Sequence, residues 1–113
     1  MKQATLAAVL LLGAPQMRAE MLLQRVVTEI PQPTNLRVHD DRWEPGSETS
    51  MHDHPGPAIL AVVKGELIEE TPDGQSTLRA GQVYWRTARQ MHNVKNVGSK
   101  PARVLAIHFD PAQ

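Results

Sequence analysis

The sequence predicts an all-β domain, a small barrel or jelly roll of about eight short antiparallel strands. Three observations point there. From about residue 22 onward, short apolar or alternating runs are broken by turn signals at the spacing of a sandwich or barrel. No stretch beyond the first twenty residues carries a convincing helical period. The 113 residues, 41% of them hydrophobic, suffice for one globular domain and no more. Closing the strands on themselves would also remove most exposed sheet edges.

The elements follow in order. Leu22 to Ile30 is the first expected strand, and Pro31 and Pro33 interrupt it. Leu36 to Trp43 alternates loosely and ends at Pro45-Gly46. Ala58 to Val63 is an apolar run suited to a strand buried on both faces. Gly65 breaks it, and Glu66 to Thr71 continues. Asp73-Gly74 is a two-residue hairpin signal, with Gln75 to Arg79 as the return strand. Gly81 opens a turn before Gln82 to Thr87. His92 to Val97 runs up to Gly98, and Ala102 to Phe109 closes the domain.

The start of the chain has a different character. Lys2 precedes a stretch from Ala4 to Ala14 that is apolar apart from Thr5 and stops before Pro15. It is too short to span a bilayer and matches a secretory signal peptide, with Ala19 as the small residue at the cut. The expected product is periplasmic or secreted and not embedded in a membrane. A start at Met21 would instead give a cytoplasmic protein. Lys+Arg and Asp+Glu number 12 each, so no charge imbalance suggests nucleic acid. The chain has no cysteine, which excludes disulfides and thiolate metal sites.

The chemistry concentrates in histidines. His52 and His54 are one residue apart, and alternate side chains of an extended segment share a face. With His92 they supply three nitrogens, enough to hold a transition metal with positions left open. Alternation turns Met51, Asp53 and Met91 away from such a site. Nothing resembles a nucleophile elbow, a phosphate-binding glycine loop or a Ser-His-Asp order.

The spacing also carries a resemblance. Gly46, His52-Asp53-His54 and Gly65 reproduce most of the first signature of the cupin family. Gly81, His92 and Asn96 reproduce the frame of the second. The chain resembles a single-domain cupin, of the small RmlC-like type, from about residue 36 to 109. The resulting division is 1–19 signal peptide, 20–35 N-terminal segment with the first strand, and 36–113 barrel domain. The resemblance implies a metal in the mouth of the barrel, a small molecule beside it, and a homodimer as a common assembly. It makes His52, His54 and His92 the metal ligands. The family's usual glutamate ligand is replaced by Ala58, and the second signature has Thr87 for proline and Arg89 for glycine. Arginine is poor at positive φ.

Three histidines without a carboxylate could bind Fe(II), Zn(II), Ni(II), Mn(II) or Cu(II). Two functional classes are open: a metal-dependent dioxygenase or isomerase, and a non-catalytic or metal-free cupin that binds or senses a small molecule. Trp85, Gln90 and His108 are weaker candidates for ligand contact. Of the strand Val83 to Arg86, either Val83 and Trp85 or Tyr84 and Arg86 face inward. His39, Asp41 and Trp43 share a face that reads as solvated, with a polar wall of the cavity as the alternative, and Glu66, Glu69 and Glu70 also read as solvated. Asn96 is expected to cap a turn.

Overall fold

The computed structural model describes residues 13–112. The expected signal peptide lies outside them up to residue 12, and residues 13–19 have no regular structure. Seven antiparallel strands follow: β1 (Thr34–Trp43), β2 (Ala58–Lys64), β3 (Glu66–Thr71), β4 (Gly74–Arg79), β5 (Val83–Arg86), β6 (Asn93–Lys95) and β7 (Ala102–Pro111). They form a four-stranded sheet in the order β1-β7-β2-β5 and a three-stranded sheet in the order β4-β3-β6. Among the described residues no helix is long and apolar enough to cross a membrane.

One expected strand is absent. Leu22–Ile30 has no regular structure and pairs with no strand. Side chains hold it instead: the Glu29 carboxylate accepts from the Thr87 hydroxyl at 2.5 Å and the Ala88 N–H at 2.6 Å. The Arg25 guanidinium lies 5.7 Å from the centre of the Trp85 ring.

Small and branched residues on the inner faces make the core. Leu60, Val62, Val104 and Ala106 come from the first sheet, and Leu67, Leu78 and Val94 from the second. Gly65, at φ +79°, carries the chain from β2 to β3. A Cβ there would meet the Pro101 carbonyl oxygen at 2.8 Å, so both the backbone and the space require glycine. The Trp43 indole N–H donates across the core to the Val94 carbonyl at 3.1 Å.

The segment after β1 runs beside β6. Gly46 N–H donates to the Asn96 carbonyl, Asn96 N–H to that of Ser47, and Thr49 N–H to that of Val94, at 2.9–3.0 Å. Asn96 caps this region as expected. Its amide donates to the Trp43 and Lys100 carbonyls, and its side-chain oxygen accepts from Gly98 N–H. The segment therefore extends the three-stranded sheet and delivers His52 and His54 to the barrel's open end.

Candidate metal centre

His52 and His92 face each other across a single antiparallel bridge. Each backbone N–H donates to the other's carbonyl at 2.9 Å. The two histidines are thus held in register by their own main chains. His54 lies beyond the bridge, and its carbonyl accepts from Arg89 N–H at 2.9 Å. Arg89 adopts φ +64°, the left-handed conformation that ordinarily favours glycine, so this turn takes that shape with an arginine in place. Ser50, at φ +72°, is the other non-glycine residue in this region among the described residues.

That strained backbone orients a ring. The His52 Nδ1–H donates to the Ser50 carbonyl at 2.8 Å, and the His92 Nδ1–H donates to the Gln90 carbonyl at 2.6 Å. A carbonyl can only accept, so each Nδ1 carries the hydrogen and each Nε2 keeps its lone pair. The His54 Nε2 is 3.1 Å from the His52 Nε2. One nitrogen from each of His52, His54 and His92 lies within 4.8 Å of the others.

The electrostatics favour the neutral form of His54 and His92. Burial pushes the His92 imidazole down to about 4, and the Gln90 carbonyl opposes this only in part. Burial, and then the neighbouring His52, lower His54. Neutral imidazole is the form that ligates metal.

The centre opens into a cavity of about 360 Å³, and all five histidines of the chain line it. His39, Asp41 and Trp43 line the cavity with Arg37, and the His39 and Asp41 side chains also keep 45% and 38% of their surface exposed, so this face is both a cavity wall and solvated. Strand pairing explains this. His39, Asp41 and Trp43 sit opposite Ala106, Val104 and Ala102 of β7, all three buried in the core. The Arg37 Nη1–H donates to the His39 Nε2 at 2.8 Å, and its Nε–H donates to the Asp110 carboxylate at 2.7 Å.

Pairing also settles β5. Ala58 lies opposite Arg86, and Ile59 opposite Trp85. Ala58 is 1% exposed on the inner face, so Arg86 points inward and Trp85 outward. Arg86 forms an ion pair inside the barrel with Glu69, which corrects the expectation that Glu69 is solvated. Trp85 and Gln90 are not brought to the histidine cluster. Both line a second cavity, of about 370 Å³, which shares Arg86, Leu60 and Leu78 with the first. His108 does line the histidine cavity, with its ring centre 5.1 Å from those of both His54 and His39. Met51 and Met91 are exposed, as alternation required.

The sequence carried one overlooked signal for the β1 wall. Ala102, Val104, Ala106 and His108 alternate on β7, and a strand paired with that face must turn its own alternate residues inward.

Comparisons with known proteins agree with this geometry. The family model described as "Cupin domain" matches residues 41–108. The β-alanine degradation protein BauB of Pseudomonas aeruginosa is 39% identical over 65 residues, covering 55% of this chain and 68% of that protein. The crystal structure of a cupin domain from Bordetella pertussis superposes with a TM-score of 0.60 at 31% identity, covering 66% of this chain and 81% of that one. A predicted oxalate decarboxylase from Thermotoga maritima superposes with a TM-score of 0.58 over 64% of each chain. At 23% identity, that likeness shows the fold alone.

Proposed function

The chain belongs to the cupin family, and on that premise we propose that His52, His54 and His92 hold a divalent transition metal whose remaining positions take a small oxygenated anion. One observation carries this reading. Two of the three rings are fixed through Nδ1 to backbone carbonyls, so their Nε2 lone pairs are committed to a shared centre before any ion arrives. One pair of the donor set is already spaced for an ion, and all three nitrogens lie within 4.8 Å of one another. With metal–nitrogen bonds of about 2.0–2.1 Å, two ligand nitrogens sit roughly 2.9–3.4 Å apart in octahedral or tetrahedral geometry. The 3.1 Å between the His52 and His54 Nε2 atoms falls in that window.

The preference for an anion follows from charge. Three neutral imidazoles leave the ion's two positive charges uncompensated in a partly buried cavity, and Ala58 supplies no carboxylate. The Arg37 and Arg86 side chains on the walls add to the positive field, although Asp110 and Glu69 offset them. A relative named for β-alanine degradation is consistent with a small carboxylate. The donor set suits Fe(II), Zn(II), Ni(II), Mn(II) or Cu(II). An ion so held supplies Lewis acidity or, as Fe(II), O₂ chemistry. The chain's own residues bind the ligand, orient it and limit its contact with water.

Titration of untagged, chelator-stripped protein with Co(II), followed through its visible absorption, tests the reading. Saturation at one equivalent and at least a hundredfold weakening by His92→Ala are expected. No saturable band, or indifference to the variant, would overturn it. Oxygen uptake by the Fe(II)-loaded protein with a panel of small carbonyl and hydroxy acids then separates an oxygenase from the other readings. Uptake with any of them assigns an oxygenase, and flat traces with all of them favour a binder or an isomerase.

Export and self-association belong to the same proposal. The charged and apolar start of the sequence supports an exported product. The exposed Leu36, Val38, Val63 and Leu105 on the outer face of the four-stranded sheet support a homodimer.

A further inference from the structure

The segment before β1 pairs with no strand, yet it keeps a strand's alternation. Leu23, Val27 and Glu29 are partly covered, while Leu22, Val26 and Ile30 are exposed. One face of the extended chain therefore lies against the barrel. Glu29 makes the hydrogen bonds on that face. Its carboxylate accepts from the Thr87 hydroxyl at 2.5 Å and from the Ala88 N–H at 2.6 Å, across 58 and 59 positions of sequence. The Thr87 hydroxyl, and then the Ala88 N–H, hold its carboxyl below the usual carboxylate range, so it meets both donors as an anion.

What Glu29 holds is the turn that orients the candidate ligands. β5 ends at Arg86 and β6 begins at Asn93, and residues 87–91 between them belong to no strand. Among the described residues, neither Thr87 nor Ala88 has a hydrogen bond to another main-chain group. Ala88 is followed by Arg89, whose N–H donates to the His54 carbonyl at 2.9 Å. Gln90 comes next, and its carbonyl receives the His92 Nδ1–H at 2.6 Å. Arg89 sits at φ +64°, a conformation that this turn would not favour alone. Two of the three histidines are thus tied to the two residues that follow the Glu29 anchor.

We propose that Glu29 is a positioning residue for the metal centre. By anchoring Thr87 and Ala88 it fixes the turn at 87–91, and through that turn the direction of the His92 ring and the main chain of His54. This rests on the three-histidine centre proposed above. It adds that a carboxylate of the N-terminal segment, outside the ligand set, helps to preorganise that centre.

Two measurements on the full chain test it: Co(II) affinity by visible absorption, and the His92 ring-proton signal in 1H–15N spectra of the metal-free protein. Glu29→Ala removes both acceptors. It should still take one equivalent of Co(II), roughly three- to tenfold more weakly and with an altered visible band, and it should broaden the Nδ1–H signal. Glu29→Gln keeps an acceptor oxygen and should return the affinity to within about twofold of wild type. Thr87→Val removes one of the two donors and should weaken Co(II) by roughly two- to threefold; it carries the test if the alanine variant does not fold. Asp40→Ala breaks an exposed ion pair with Arg103 that does not involve the turn, and should change neither readout. Wild-type affinity and an unchanged ring-proton signal in Glu29→Ala would overturn the proposal. Equal weakening by Asp40→Ala would also overturn it, by tracing the effect to general loosening. So would a glutamine variant as weak as the alanine one, by tracing it to charge rather than to the two hydrogen bonds. A wild-type protein that takes up no Co(II) would remove the centre itself, and the ring-proton comparison would still decide whether Glu29 sets the orientation of His92.

Discussion

Acidifying the metal-free protein from pH 7 to pH 4 should remove roughly 6 kcal/mol of folding stability through two histidines alone. His92 and His108 are 1% and 4% exposed, and burial pushes both down to about 4. In the unfolded chain each titrates near 6.5. Between those values the unfolded state binds more protons than the folded one, so stability rises with pH and falls on acidification. The contribution is intact above about pH 6.5 and disappears as pH falls towards 4. Integrating the linkage gives a loss of about 2 kcal/mol per histidine by pH 5 and about 3 by pH 4. Against a typical domain stability of 5–15 kcal/mol, this approaches unfolding. Urea denaturation of chelator-treated protein at half-unit pH steps, followed by circular dichroism, measures the slope. His108→Phe should roughly halve it while leaving the urea m-value unchanged. A stability that stays flat from pH 7 to pH 5 would refute the argument that these imidazoles are held neutral by burial.

Three further outcomes follow from particular contacts. Arg89→Gly should raise the melting temperature by a few degrees in calorimetry, because it removes a left-handed strain of roughly 1–2 kcal/mol, offset in part by the greater freedom of unfolded glycine. A lower melting temperature would mean that the arginine side chain holds the turn. Glu69→Gln should destabilise the fold by roughly 3–5 kcal/mol in urea titration, since it strands the inward Arg86 guanidinium, whose side chain is only 9% exposed. A loss under 1 kcal/mol would show that the charge escapes to water. If the chain is exported, mass spectrometry of protein recovered from its native host should begin at Glu20, and a product retaining Met1 or starting at Met21 would exclude that cleavage.

Strand positions were legible because turn signals bracket nearly every strand. Asp73-Gly74, Gly65 and Gly81 mark turns in the structure, and β3 and β4 match their expected spans to within a residue. Leu22–Ile30 failed because an apolar, alternating run specifies a strand only if an edge is there to pair with it, and pairing is a property of the whole fold. The three-histidine cluster was visible because the sequence spacing of His52, His54 and His92 is itself the signal. The rest of the cavity was not. His39, Asp41 and Glu69 are polar residues on strands, a pattern shared by solvated faces and by the lining of a polar cavity. Only the register with β7, and the reach of Arg86 across the barrel, place them on the inner wall. The choice between Trp85 and Arg86 likewise turned on one pairing, Ala58 opposite Arg86, which no local pattern contains.

The central claim is that His52, His54 and His92 converge to hold one ion. Elemental analysis of untagged protein, reconstituted with Fe(II), Zn(II), Ni(II), Mn(II) and Cu(II) in turn and then desalted, tests it most directly. The account predicts close to one equivalent of at least one of these metals in the wild type, and less than about a tenth in a folded His52→Ala/His54→Ala/His92→Ala variant. Less than a tenth of an equivalent of every metal in the wild type, or equal retention by the triple variant, would contradict it.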